Sequence, residues 1–66
     1  MKAVRINTAK EQSLANALVA LKVRFVYDYG TYYLLGTSNE EKIRKFLESN
    51  GVSTAGMTLN GVDYDF

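Results

Sequence analysis

Cysteine, histidine, tryptophan and proline are all missing from this chain of 66 residues. Without Cys or His there is no disulfide framework, no thiolate or imidazole zinc site, no His-based triad and no Cys nucleophile. Charge of one sign is scarce as well. Eight Lys and Arg stand against 7 Asp and Glu, a net charge of +1, and so weak a field does not draw in nucleic acid or anionic lipid by itself. No apolar run is long enough to cross a bilayer. Met1-Lys2 leads into mixed residues rather than the apolar stretch of a signal peptide. These absences suggest a cytoplasmic protein. A hydrophobic share of 47% with 23% charged residues is a globular composition, and the length suits one domain, so residues 1–66 read as a single compact α+β unit.

Ala3-Val4-Arg5-Ile6 alternates and predicts a strand with Val4 and Ile6 inward. Thr8-Ala9-Lys10-Glu11 has the form of a capping box, in which the Thr8 hydroxyl accepts from the Glu11 backbone and the Glu11 side chain reaches back. Behind it Leu14, Ala17, Leu18 and Leu21 recur at helical spacing and predict a helix from about Ala9 to Lys22.

The centre is rich in β-branched and aromatic residues, Val23 to Tyr29 and Thr31 to Thr37, with Gly30 between them. A two-residue turn at Tyr29-Gly30 pairs Asp28 with Thr31, Tyr27 with Tyr32, Val26 with Tyr33 and Phe25 with Leu34. Phe25, Tyr27, Tyr32 and Leu34 then share one face, and Arg24, Val26, Tyr33 and Leu35 the other. The turn asks for a positive φ at Tyr29, where Asn or Asp sits more easily, and a register slip of one residue would exchange the two faces.

Ser38-Asn39-Glu40-Glu41 supplies a second capping box, with Thr37 to Glu40 an overlapping one, ahead of the apolar stripe Ile43, Phe46 and Leu47. Asn50-Gly51 is a stop signal. Val52 to Leu59 is expected to return as a strand, and Asn60-Gly61 has the composition of a hairpin turn before Val62 to Phe66. That tail would pair as a fifth strand or bend away. A shift of 29 residues, from 6 to 35, lays Ile6-Asn7-Thr8 on Leu35-Gly36-Thr37, Glu11 on Glu40, Leu14 on Ile43 and Leu18 on Leu47. Each half is then strand, capped helix, strand, and two in series give the ferredoxin-like order βαββαβ. Both helices would lie on one face of a four-stranded antiparallel sheet, with the first and third strands in the middle, and a C-terminal β-hairpin would extend it. The expected core is Val4, Ile6, Leu14, Leu18, Leu21, Val23, Phe25, Tyr27, Leu34, Ile43, Phe46, Leu47, Val52 and Leu59. Small domains without disulfides or metal often gain stability by associating, so a homodimer is a natural expectation.

Function has to be sought on the uncovered sheet face. It should present Ala3, Arg5, Arg24, Val26, Tyr33 and Leu35, with alternate residues near Met57, unless the C-terminal hairpin folds over it. An apolar face with Tyr33 as anchor and arginines at its margin fits a protein or dimer interface, and the Tyr-rich hairpin adds Tyr29 at its tip. The partner-binding candidates are therefore Arg5, Arg24, Val26, Tyr33, Leu35 and Tyr29. The corresponding function is a small non-enzymatic protein-binding module, an inhibitor or regulator of a larger, host, protein. The alternative is a single-stranded RNA or DNA binder in which Tyr33 stacks on a base beside Arg5 and Arg24. Strand one, however, has no second aromatic, and the Lys/Arg-Gly-Phe/Tyr-Gly/Ala-Phe pattern does not occur. Residues 1–33 carry net +3 and residues 34–66 net −2, counted from five bases and two acids against three and five. The charges of the second helix suit its dipole, and Asp63 and Asp65 read as guards on an edge strand. No residue is marked as a nucleophile, a cofactor ligand or a metal site.

Overall fold

The computed structural model describes residues 1–65 and has the order β1 (Lys2–Asn7), α1 (Glu11–Ala20), β2 (Phe25–Asp28), β3 (Thr31–Leu35), α2 (Glu40–Ser49) and β4 (Thr58–Asp63). All strand pairs are antiparallel and the sheet order is β2-β3-β1-β4. This is the ferredoxin-like arrangement, with both helices on one sheet face and β1 and β3 central. Val4, Ile6, Tyr32, Leu34 and Leu59 point toward the helices and meet Leu14, Leu18, Ile43 and Leu47 in the core. The β2–β3 register is the expected one, from Phe25 opposite Leu34 to Asp28 opposite Thr31. Tyr29 has φ +48° and Gly30 φ +80°, the two positive values that a type I′ turn requires.

The 29-residue echo is carried into the structure: α1 starts at Glu11 and α2 at Glu40, and each runs 10 residues. Both helices also end alike. The amides of Lys22 and Val23 donate to Val19 and Leu18, and those of Gly51 and Val52 donate to Glu48 and Leu47. Each is a Schellman motif. Gly51 takes the left-handed position at φ +78°, and Lys22 takes it at φ +59°, which is why helix one stops two residues before its expected end.

Several expectations are corrected. Lys10 rather than Thr8 occupies the N-cap position of α1, with no side-chain cap. The Thr8 hydroxyl accepts from Lys10 N, two residues on, and the Glu11 carboxylate accepts from the Tyr27 hydroxyl instead of reaching back. In α2 the cap is Asn39, whose side chain accepts from Lys42 N at 3.1 Å. Glu40 serves β4: its carboxylate accepts the Gly61 amide at 2.8 Å. Tyr27 is half exposed while Tyr32 is buried, because β2 is an edge strand and β3 is central. Phe46 is 38% exposed, at the rim of the stripe made by Ile43 and Leu47.

The largest correction is β4. Residues 52–57 are irregular, tied down through buried Thr54, which donates to Glu48 and accepts from Arg44. Asn60 and Gly61 lie inside the strand, opposite Arg5 and Val4, and make no turn. No C-terminal β-hairpin forms among the described residues, and Phe66 lies outside them. Gly61 is glycine for a steric reason: a Cβ there would collide with the Ser38 backbone carbonyl.

Candidate functional site

The face of the sheet opposite the helices is built from alternate residues of all four strands. Register places Val26, Tyr33, Arg5 and Asn60 in one row across β2, β3, β1 and β4. The next row is Leu35, Ala3 and Val62. Arg24 extends it past the formal end of β2, since its carbonyl accepts the Leu35 amide at 3.0 Å. On the other side of the Val26–Asn60 row lie Asp28, Thr31, Asn7 and Thr58, where Asn7 donates to the Thr31 hydroxyl. The face therefore grades from a polar end beside the β2–β3 turn to an apolar end around Ala3.

Tyr64 completes the apolar end. Its amide donates to the Met1 carbonyl at 2.7 Å, which carries the β1–β4 ladder past Asp63. Its ring lies 4.3 Å from that of Tyr33, tilted by 36°. Because β1 separates β3 from β4, this ring pair spans the middle of the sheet, and Ala3 has no exposed surface. A small side chain at Ala3 leaves room for the rings. The C-terminal segment thus covers part of this face, by one ring rather than by a hairpin. Val26, Tyr33, Leu35, Val62 and Tyr64 all remain partly exposed.

One ion pair anchors this corner. The Met1 ammonium donates to the Asp63 carboxylate at 2.8 Å and to the Tyr64 carbonyl at 3.1 Å. The hydrogen bond with Asp63 raises the ammonium's pKa above its ordinary value, and the same bond lowers that of Asp63.

Of the six candidate residues, Arg5, Val26, Tyr33 and Leu35 share this face, with Arg5 and Tyr33 direct partners and Val26 beside Tyr33. Arg24 is exposed at the β2 margin. Tyr29 stands away from it at the hairpin tip, 99% exposed. Met57, expected here, packs against the core on the helix side. Asn60, Val62 and Tyr64 belong to the face and were missed. Their signal was the alternation Val62-Asp63-Tyr64, which the Asn60-Gly61 dipeptide masked as the far side of a turn.

Among the described residues no group of three or more acidic side chains could hold a metal ion, and no helix is long and apolar enough to cross a membrane. Comparison with protein-family models, curated proteins and solved structures finds no match.

Proposed function

We propose that the chain is a non-enzymatic, cytoplasmic protein-binding module that works through the open sheet face, and that its first partner is a second copy of itself. The observation that carries this reading is the apolar end of the face. Val26, Tyr33, Leu35, Val62 and Tyr64 surround Ala3 on a side that no helix covers. A sheet face left to solvent would be expected to alternate to polar residues throughout, and here it does so only at one end. Aromatic residues with arginine are the usual composition of a binding surface.

The charges favour a two-fold partner. Arg24 and Asp28 flank Val26 on the same face of the same edge. A two-fold axis near Val26 would set Arg24 of each copy against Asp28 of the other, as a self-complementary interface requires. Tyr29 adds support for the hairpin as a contact. It is a large aromatic held at positive φ and almost wholly exposed, and such strain collects where function needs it. Regulation or inhibition of a larger protein through the same face is a second use of the surface, open to the chain alongside self-association. Nucleic-acid binding is less well supported, because one side of the Tyr33 ring is taken by Tyr64 and the face carries just two basic residues among those described, Arg5 and, at its margin, Arg24.

Sedimentation equilibrium over a range of concentrations tests the proposal. The wild-type chain should dimerise, and Tyr33→Asp should sediment as a folded monomer. If Tyr33→Asp unfolds the chain, Tyr33 belongs to the core and the interface is lost as an explanation. Fluorescence anisotropy with a mixed-sequence single-stranded RNA should show no salt-sensitive binding.

A further inference from the structure

The helix-bearing side of the sheet holds a second feature, independent of the open face. Between α1 and the edge strand β2 lies a cleft of about 350 Å³, lined by Glu11, Gln12, Ala15, Phe25, Tyr27 and Tyr32. Its volume falls at the lower end of the range of small-molecule sites, roughly 300–1,000 Å³. The cleft exists because α1 turns the small Ala15 toward β2, while its long apolar residues Leu14 and Leu18 enter the core. Its floor is aromatic. The Tyr27 and Tyr32 rings lie 4.8 Å apart at 59°, forming a corner, and Phe25 extends it at 5.9 Å from Tyr32.

Hydrogen bonds fix the walls. Tyr32 is buried and donates to the Glu11 carbonyl at 2.9 Å, and Tyr27 donates to the Glu11 carboxylate at 3.2 Å. Burial and the nearby Glu11 raise the pKa of Tyr32, which keeps its hydroxyl a donor. A carboxylate that accepts one hydrogen bond has lone pairs to spare. Among the described residues no Lys or Arg pairs with Glu11. The Glu11 carboxylate, hydrogen-bonded to Tyr27, therefore borders the aromatic lining of the cleft with no ion-pair partner among the described residues.

We infer that this cleft binds an organic cation, an alkylammonium head group seated on the exposed Tyr27 ring where it meets Tyr32 and facing the Glu11 carboxylate. Ring faces attract a cation within about 6 Å of their centroids, most strongly where water is excluded. Methyl groups on the nitrogen match the apolar rings and Ala15, and the carboxylate supplies the opposite charge. A guanidinium or primary ammonium would carry more water into the cleft and bind less well.

Choline and 3,3-dimethylbutanol, its neutral isostere, are titrated into the labelled protein and followed through the ring and amide resonances of Phe25, Tyr27 and Tyr32. Choline should shift these resonances saturably, with an affinity about tenfold above that of the neutral isostere. Glu11→Gln keeps an acceptor for Tyr27 and should remove most of that difference. Ala15→Leu fills the cleft and should abolish binding while leaving the circular dichroism unchanged. A trimethyllysine peptide that binds more tightly than choline would identify the source of the cation as a side chain, and equal binding would identify a free head group. Equal affinities for choline and its neutral isostere, an unaffected Glu11→Gln variant, or no shift at millimolar choline would each overturn the inference. None of these readouts involves the open sheet face, so the two proposals fail separately.

Discussion

Gly61 joins the chemistry of one residue to the placement of two elements. It sits in β4 opposite Val4, its amide goes to Glu40, and the Ser38 carbonyl occupies the space where a Cβ would be. The atom in the way is backbone, so it cannot swing aside as a side-chain tip would. Gly61→Ala should therefore cost about 1–3 kcal/mol, read by urea denaturation, and a neutral result would show that the β3–α2 connection yields easily. Tyr29 is the opposite case. Its φ of +48° is strained for a side chain and its ring touches solvent on all sides, so Tyr29→Asn should raise stability by about 1 kcal/mol. The pair Met1–Asp63 makes a prediction in pH. Asp63 has a folded pKa below its ordinary value, so its contribution is present above that ordinary value and is lost as pH falls through the folded one. The Met1 ammonium is raised, so its contribution is complete below its ordinary 8.0 and is lost as pH rises through the folded value. Both groups are exposed and the effect on stability is small, so the direct check is an NMR titration of the Asp63 carboxyl. Its midpoint should lie below 3.8, and N-terminal acetylation should return it to the ordinary range.

The two helices show which local signals carried information. Their apolar spacing located both, and the buried pairs Leu14–Leu18 and Ile43–Leu47 are the ones the pattern selects. The caps were harder to read because Thr8, Thr37, Ser38 and Asn39 are all competent acceptors. Which one caps depends on where the preceding strand releases the chain, a tertiary matter. Asn39→Ala should accordingly cost about 1 kcal/mol of stability. Thr8→Ala should cost clearly less, since Thr8 bonds Lys10 N in a local turn and not the first turn of α1. Thermal denaturation of the two variants side by side decides this. The left-handed residue that ends α2 was visible as Gly51, whereas its counterpart Lys22 carries no signal in its side chain. The misplacement of β4 has a similar origin. Asn-Gly is a hairpin signal only when the chain has no better use for it, and here long-range pairing with β1 and the approach of Ser38 claim both residues.

At the scale of the whole molecule the fold divides the sheet into a face that is finished and a face that is not. On one side the helices bury Val4, Ile6, Tyr32, Leu34 and Leu59. On the other, no helix of the described residues packs, and Tyr64 folds onto Tyr33 beyond the end of β4. Five of the six candidate residues, Arg5, Arg24, Val26, Tyr33 and Leu35, could be placed on that face from alternation and one hairpin register. Val62 and Tyr64 could not, because they reach it only through β4. The central claim is that this face binds protein, beginning with a second copy. An amide chemical-shift map recorded across a dilution series tests it most directly. Concentration-dependent shifts should be confined to the open face and its β2 edge: Arg5, Arg24, Val26, Asp28, Tyr33, Leu35, Asn60, Val62 and Tyr64. Shifts gathered instead around the exposed Val19 of α1 and Phe46 of α2, or a spectrum that does not change with concentration, would contradict it.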